Sequence, residues 1–168
     1  TLKCLLILFF VPFLVNFLAK TYVVRPLTEY FWNTKQTQIF LNLHQQEHAF
    51  AELKEITKNL DFGVLLGSPF PTKKDSGRGL YNSALLFYKG ELIFRQNKSL
   101  LPTYDVFEED RFFDAAEKVE IFEFKGEKLG ISICEDMWNV EELWQRRRYE
   151  RNPIQELADK GATILINI

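Results

Sequence analysis

The chain has 168 residues, of which 46% are hydrophobic and 26% are charged, enough apolar material for one sizeable core. This size predicts one compact domain or a piece of a larger one. The 21 basic and 23 acidic residues are spread along the chain and leave a formal charge of -2. That balance excludes the basic footprint of a nucleic-acid-binding protein and favours small or neutral partners.

The two cysteines, Cys4 and Cys134, lie far apart, whereas a secreted domain of this size carries a denser disulfide framework. This predicts a reducing compartment and a cytoplasmic location. Neither cysteine has metal-ligand spacing around it. His44 and His48 lie four residues apart, but the run HQQEH is not the HExxH zinc motif. We therefore predict no metal site.

The most apolar stretch of the chain is Leu5–Ala19. Pro12 and Asn16 interrupt it, and no small-residue cleavage pattern follows Lys20. The stretch is short for a membrane span. We favour a buried strand that runs into an irregular apolar segment over a targeting segment, and no membrane partner is expected.

Regular elements are predicted from residue 40 onwards. Apolar residues at helical spacing predict an amphipathic helix over Phe40–Leu60. The glycine-bounded apolar run Val64–Gly67 predicts a strand buried on both faces. A loop that contains Pro69, Pro71 and Gly77 is expected to follow.

Two hairpins are predicted next, each with a glycine that supplies the positive φ of a tight turn. Their strands are Tyr81–Tyr88 with Glu91–Gln96, joined at Lys89-Gly90, and Val119–Phe124 with Lys128–Cys134, joined at Lys125-Gly126-Glu127. Lys98 then lies just past the first hairpin. Cys134 ends the second.

The last elements are a helix and a strand. Asn152 is placed as an N-cap, Pro153 as the first helical residue, Gln155 for a capping box and Gly161 for the C-cap. Thr163–Ile168 reads as a strand, so the chain is expected to be a fragment that stops inside one. The alternation of elements predicts an α/β fold with a mixed sheet.

Cys134 is the candidate nucleophile, because it follows a strand and precedes Glu135-Asp136. A sharp turn at this point would expose the sulfur and orient nearby backbone N–H groups, as in a nucleophile elbow. The alternative is a buried structural thiol, since free cysteine is among the most buried residue types.

Three sequence blocks around these residues occur in a specific order. They are YNSALLF at 81–87, KSLLPTYDVFEEDRFF at 98–113 and GISICEDMW at 130–138. Together they resemble the nitrilase superfamily, and LPTYDVFEEDRFF and ICEDMW resemble in particular the amidase domain of glutamine-dependent NAD synthetases. The resemblance covers about residues 60–168.

The resemblance implies the α-β-β-α sandwich of nitrilases, incomplete at both ends. It divides the chain into a poorly matching apolar segment, 1–40, and a partial amidase domain, 41–168. Nitrilase-type domains associate face to face, so a homo-oligomer is expected.

By the same resemblance, Cys134 attacks the side-chain amide of glutamine, releases ammonia and leaves a thioester that water hydrolyses. A covalent intermediate splits one difficult step into two easier ones. Lys98 supplies positive charge that favours the thiolate and the oxyanion. The alternative for Lys98 is an ordinary surface lysine.

Two further residues match the family pattern. Glu109 corresponds to the glutamate that helps to position the lysine and the substrate, with a solvated acidic turn as the alternative. Tyr104 is expected to line the amide pocket, with an ordinary core aromatic as the alternative.

The family's general-base glutamate is missing from the place where it belongs, and no carboxylate precedes Glu29. Two explanations compete. The first 40 residues are a divergent or corrupted form of the segment, which we favour, or the protein lacks the base. Glu29 is the base only by default, and loss of a general base costs about 10²–10⁴-fold in rate.

The resemblance implies glutamine as substrate and no cofactor in this domain. ATP and deamido-NAD belong to a synthetase domain, the partner of this one, that the chain does not contain. Two alternatives remain: a stand-alone nitrilase-family amidase, or a non-catalytic scaffold. Arg146-Arg147-Arg148 with Arg151 is interpreted as a solvated basic patch.

Overall fold

The computed structural model describes residues 6–7, 36–105, 107–139 and 148–168, and side chains from residue 46 onwards. The apolar stretch Leu5–Ala19, apart from Leu6–Ile7, and the candidate base Glu29 lie outside these residues. The chain forms two compact units: residues 1–65 with 86–93, and residues 66–85 with 94–168. Each unit is described by itself.

A four-stranded sheet supplies strands to both units. Its strands, in spatial order, are β1 (Leu6–Ile7), β2 (Val64–Pro71), β3 (Leu80–Tyr88) and β4 (Glu91–Asn97). β1 runs parallel to β2, with Leu6 opposite Val64 and Ile7 opposite Leu65.

The first unit contains helix α1 (Gln36–Thr57), which overlaps the predicted helix Phe40–Leu60 but begins and ends earlier. Phe50 on this helix packs against Phe87 of β3, with ring centroids 5.6 Å apart. Phe87 is fully buried. The contact therefore joins the apolar face of the helix to the sheet, as the helical spacing predicted.

The two hairpin turns use the same two residue types. Lys89 and Gly90 have φ of 49° and 84°, and Lys125 and Gly126 have φ of 53° and 85°. Two positive φ values in a two-residue loop define the type I′ turn, whose twist matches that of the strands. Both predicted hairpins are confirmed.

The predicted loop after Val64–Gly67 is wrong in its first part, because β2 continues to Pro71 and contains Pro69. Proline has no N–H to donate, so it is tolerated only at strand positions from which the ladder needs no N–H bond. Gly77 lies after the strand, as predicted.

The second unit contains a three-stranded sheet of β5 (Ile121–Phe124), β6 (Glu127–Ser132) and β7 (Ile164–Asn167). β6 is central, antiparallel to β5 and parallel to β7, so the predicted mixed sheet is confirmed. β5 begins two residues later than expected, because the backbone N–H of Glu120 donates to the side chain of Gln96 (3.0 Å) instead of joining the ladder.

Helix α2 (Pro153–Asp159) begins and ends largely as predicted. The Asn152 side chain accepts from the backbone N–H of Gln155 at 3.2 Å, which confirms the N-cap. The Gln155 side chain instead donates to Asp159, so the capping box does not form. Gly161, with φ of 84°, ends the helix in the left-handed conformation that favours glycine.

Close packing of α2 on β6 fixes the position of the strand that leads to Cys134. A Cβ at Gly130 would lie 2.8 Å from Leu165, 3.0 Å from Ala162 and 3.2 Å from Leu157. Leu157 is fully buried. Only glycine fits at Gly130 without displacing these neighbours.

Candidate active site

Cys134 lies at a sharp turn after β6. The strand ends at Ser132, and Cys134 opens a 3₁₀ turn, Cys134–Met137, so the expectation that the cysteine ends the strand is wrong by two residues. Its φ is 42°, a left-handed value that a non-glycine residue adopts at a cost. The turn is stabilised by the Cys134 N–H, which donates to the Ile168 carbonyl at 2.8 Å.

The thiol of Cys134 is exposed and unbridged. Exposure excludes the buried structural thiol. A strained strand-to-helix turn that presents a side chain to solvent is the geometry of a nucleophile elbow.

Lys98 is 1% exposed, which excludes the ordinary surface lysine. Its Nζ donates to Glu109 Oε2 at 2.6 Å, and the Glu109 side chain is 20% exposed. A buried ammonium needs a partner, and this carboxylate supplies it. The Lys98 backbone is also secured, because its N–H donates to Asn82 and its carbonyl accepts from Ala116, both at 2.8 Å.

Glu109 is held by a short 3₁₀ turn, Glu109–Arg111, at the end of the block that contains Lys98. Its N–H donates to the Pro102 carbonyl at 3.1 Å, and its own carbonyl accepts from Phe112 and Phe113. These contacts orient the carboxylate towards Lys98 instead of leaving it in a solvated acidic turn.

Asp136 joins the backbone next to Lys98 to the backbone next to Cys134. Its Oδ1 accepts from the N–H groups of Ser99 (2.9 Å) and Leu100 (2.8 Å). Its Oδ2 accepts from the N–H of Ile133 at 3.1 Å. Burial raises the pKa of Asp136 from 3.8 to about 6, although these three hydrogen bonds and the charge of Lys98 act in the opposite direction.

Glu135, the residue after Cys134, is buried and carries a carboxylate between two tyrosines. Tyr104 donates to both its oxygens at 2.9 Å, and Tyr149 donates to Oε1 at 3.1 Å. Burial and the Glu135 carboxylate raise the pKa of both tyrosines, so each hydroxyl keeps its proton for these bonds.

Tyr104 is 37% exposed, which excludes an ordinary core aromatic. The exposed Arg148 guanidinium lies 4.0 Å from the centroid of its ring and stacks on it. Arg146 and Arg147 of the predicted basic patch lie outside the described residues. Because Tyr104 also donates to Glu135, the residue after Cys134, its ring lies next to the cysteine turn.

The general base is not found in the described part of the chain, where no carboxylate hydrogen-bonds to the Cys134 sulfur. Glu29 lies outside those residues. Across the same residues, no cluster of His, Cys, Asp and Glu suits a metal ion. His48 contacts Glu52 at 3.5 Å on the exposed side of α1.

The sequence singled out Cys134, Lys98, Glu109 and Tyr104 as candidates but not the two acidic residues after the cysteine, Glu135 and Asp136. The sequence did contain a signal for Glu135 and Asp136. Two consecutive carboxylates beside a candidate thiolate repel each other unless each has its own hydrogen-bond donors or cations. Tyr149 had no comparable signal.

Comparisons with known proteins match two different families. The model of the CemA family matches residues 1–85. The chain is 47% identical over 105 residues to a potassium/proton antiporter CemA of Chlamydomonas reinhardtii, covering 61% of the chain and 20% of that protein. Neither explanation weighed for the first 40 residues included this family.

The chain is also 37% identical over 135 residues to a glutamine-dependent NAD+ synthetase of Synechocystis, covering 77% of the chain and 24% of that protein. The chain thus spans about a quarter of one relative and a fifth of the other. Among the described residues, no helix is both long and apolar enough to cross a membrane.

Solved structures agree on the fold. The glutamine-dependent NAD+ synthetase of Acinetobacter baumannii is 29% identical with a TM-score of 0.60, covering 74% of this chain and 20% of that one. A carbon-nitrogen hydrolase of Helicobacter pylori is 21% identical with a TM-score of 0.59, covering 80% and 41%. A nitrilase-superfamily amidase of Nesterenkonia is 18% identical with a TM-score of 0.56, covering 74% and 42%. The predicted nitrilase-type α/β fold is confirmed.

Proposed function

Because the chain belongs to the nitrilase superfamily, in the branch of the glutamine-dependent NAD+ synthetases, and over residues 1–85 to the CemA family, we propose that it hydrolyses glutamine to glutamate and ammonia. The observation that carries the proposal is the arrangement of Cys134 and Lys98. Cys134 is exposed at a turn with positive φ, and Asp136 of that turn accepts hydrogen bonds from the two residues after the buried Lys98.

The reaction begins with attack of the Cys134 thiolate on the side-chain amide carbon of glutamine. The C–S bond forms, the carbonyl π electrons move to oxygen, and the tetrahedral intermediate collapses with loss of ammonia, whose extra proton comes from the thiol. Water then attacks the thioester, the C–S bond breaks, and glutamate leaves. Exposure and the strained turn support the nucleophilic role.

Lys98 supplies positive charge where negative charge develops. It is buried, and its only acidic bond partner among the described residues is Glu109, so its field is weakly screened by water. Glu109 holds the ammonium in one place. Lys98 thus favours the thiolate before attack and the oxyanion after it.

The turn itself supplies a second oxyanion donor. The N–H groups of Cys134 and Asp136 donate to the carbonyls of Ile168 and Ile133. We assign the N–H of Glu135 to the oxyanion, because the backbone N–H of the residue after the nucleophile is an oxyanion donor at such an elbow.

Glu135 favours glutamine over a neutral amide. Its buried carboxylate is one residue from the nucleophile and is oriented by Tyr104 and Tyr149. A free amino acid brings an α-ammonium group, and a buried carboxylate is its natural partner. The rival stand-alone amidase would gain nothing from a negative charge at this position.

Three properties of a longer protein remain proposals. We propose that this chain delivers ammonia to a synthetase domain that uses ATP and deamido-NAD, that it needs no cofactor itself, and that it forms homo-oligomers. Glu29 stays the candidate general base, and the cytoplasmic location stays a prediction.

The test is glutamate release from glutamine by the full chain, compared with Cys134→Ala, which reveals any contaminating glutaminase. We expect release that the mutation abolishes, and a fall of about 10²–10⁴-fold in Glu29→Gln if Glu29 is the base. Asparagine, which places its amide one methylene nearer the α-ammonium, serves as the poor-substrate control.

Equal release by Cys134→Ala would refute the nucleophile. No release and no glutamine binding by folded wild-type protein would instead favour the non-catalytic scaffold. Equal rates with glutamine and an uncharged primary amide would favour the stand-alone amidase.

A further inference from the structure

Asp136 makes contacts that neither nucleophilic attack nor substrate binding uses. The residue is fully buried, and its two oxygens accept three backbone hydrogen bonds of 2.8–3.1 Å. The donors belong to two segments that are more than 30 residues apart in the chain. Each segment carries one of the two residues assigned to the reaction.

The donors are immediate neighbours of those residues. Ser99 and Leu100 follow Lys98, and Ile133 precedes Cys134. We propose that Asp136 is a positioning residue, which fixes the lysine segment against the cysteine turn so that the ammonium and the sulfur act on the same carbonyl. This inference rests on the proposed glutaminase activity.

Only an ionised carboxylate fits this role. Three N–H donors converge on two oxygens, and each oxygen must accept. The amide of an Asp136→Asn variant would turn an NH2 group towards either Ile133 or the Ser99–Leu100 pair. The NH2 group would then face a backbone N–H group, which is also a donor, and that buried N–H would lose its acceptor.

Charged groups on neighbouring elements bear on the ionisation of Asp136. Lys98 lowers its pKa, and Arg151, which precedes α2 and is paired with Glu156, has its own pKa raised partly by Asp136. Glu135 and Cys134 lie on the same turn. Burial outweighs the charge of Lys98 and the three hydrogen bonds and leaves the pKa at about 6, so the carboxyl group is mostly ionised at neutral pH.

A second carboxylate provides a matched control. Asp114 accepts from the N–H groups of Arg78 (2.9 and 3.1 Å) and Gly79 (3.1 Å). Its carboxylate accepts a comparable number of backbone hydrogen bonds, but those bonds involve neither the lysine segment nor the cysteine turn. Asp114→Asn therefore reports the effect of breaking such a contact away from the site.

The experiment compares wild type, Asp136→Asn and Asp114→Asn as full chains in a Cys4→Ser background, so that Cys134 is the only thiol. Three quantities are measured: kcat and KM for glutamine, the rate at which iodoacetamide alkylates Cys134, and hydrogen exchange at the amides of Ser99, Leu100 and Ile133.

In Asp136→Asn we expect kcat to fall by about 10²-fold with KM nearly unchanged, since a displacement of about 1 Å in the reacting groups has that effect. Alkylation at pH 7.5 should slow several-fold, because the Lys98 ammonium would no longer be held where it favours the thiolate. Exchange at the three amides should accelerate. Asp114→Asn should match wild type in all three.

Wild-type kinetics in Asp136→Asn, or equal losses in the two variants, would overturn the positioning role. If wild type releases no glutamate, the proposed function fails by itself, and the alkylation and exchange results still decide the role of Asp136.

Discussion

The buried site around Cys134 and the exposed surface around Lys74 each contain a Lys–Glu ion pair, and the two pairs differ in burial. Lys98–Glu109 and Lys74–Glu117 are both close Lys–Glu pairs, but the two side chains of the first are 1% and 20% exposed and those of the second 40% and 75%. Water screens the second pair and barely reaches the first. Burial, not the type of contact, thus decides what each carboxylate does.

The largest expected difference follows from removing one partner of each ion pair. Glu109→Ala leaves the Lys98 ammonium buried without its carboxylate, which should lower the free energy of unfolding by about 3 kcal/mol and abolish glutamate release. Glu117→Ala should change neither quantity measurably. Urea unfolding and the glutaminase assay measure both, and equal effects of the two variants would contradict the comparison.

The next difference is the sign of the pH dependence. The pKa of Asp136 is raised in the folded state, so the native protein binds more protons than the unfolded chain between pH 3.8 and about 6. Stability from this group is therefore lost as the pH rises through that range, by about 3 kcal/mol.

The pH dependence of stability contributed by the surface carboxylate Glu117 has the opposite sign. Lys74 lowers the pKa of Glu117, so its stabilising effect is present above the unfolded pKa and is lost as the pH falls. Unfolding across pH 3–8 should therefore differ between wild type and Asp136→Asn, whereas Glu117→Gln, which removes a fully exposed carboxylate, should follow wild type. Parallel curves for wild type and Asp136→Asn would show that Asp136 titrates normally.

The smallest difference concerns two tyrosine–carboxylate bonds. Tyr104 donates to buried Glu135, whereas Tyr88 donates to Asp61 at 2.8 Å on the exposed side of the first unit. Tyr104→Phe removes a donor that orients Glu135 and should raise the KM for glutamine by about 10-fold, or about 1.4 kcal/mol. Tyr88→Phe should leave KM unchanged, and a comparable rise there would point to a global effect.

Local signals in the sequence were sufficient for the turns and caps. A Lys-Gly pair between two apolar runs predicted both hairpins, since the type I′ turn depends only on the residues within it. Asn152 was recognisable as an N-cap for the same reason, because its bond reaches only to Gln155.

Long-range contacts could not be predicted in that way. Two of the three partners of Asp136, Leu100 and Ser99, lie 36 and 37 residues away, and nothing in the spacing indicates that the chain brings them together. Pro69 and Pro71 were assigned to a loop because proline usually interrupts strands, but both lie within β2. The four candidate site residues, Cys134, Lys98, Glu109 and Tyr104, were identified from the resemblance of the three sequence blocks to a known family. Hydrophobic periodicity alone could not indicate that such distant residues meet.

The central claim is that Cys134 is an acyl-forming nucleophile, and trapping the thioester tests it most directly. Wild-type protein mixed with glutamine, quenched in acid within one turnover and examined by intact-mass and peptide mass spectrometry should carry one glutamyl group on Cys134, absent from Cys134→Ala. This readout does not require fast hydrolysis of the thioester. A folded wild-type chain that turns over glutamine without that adduct, or that carries it on another residue, would contradict the account.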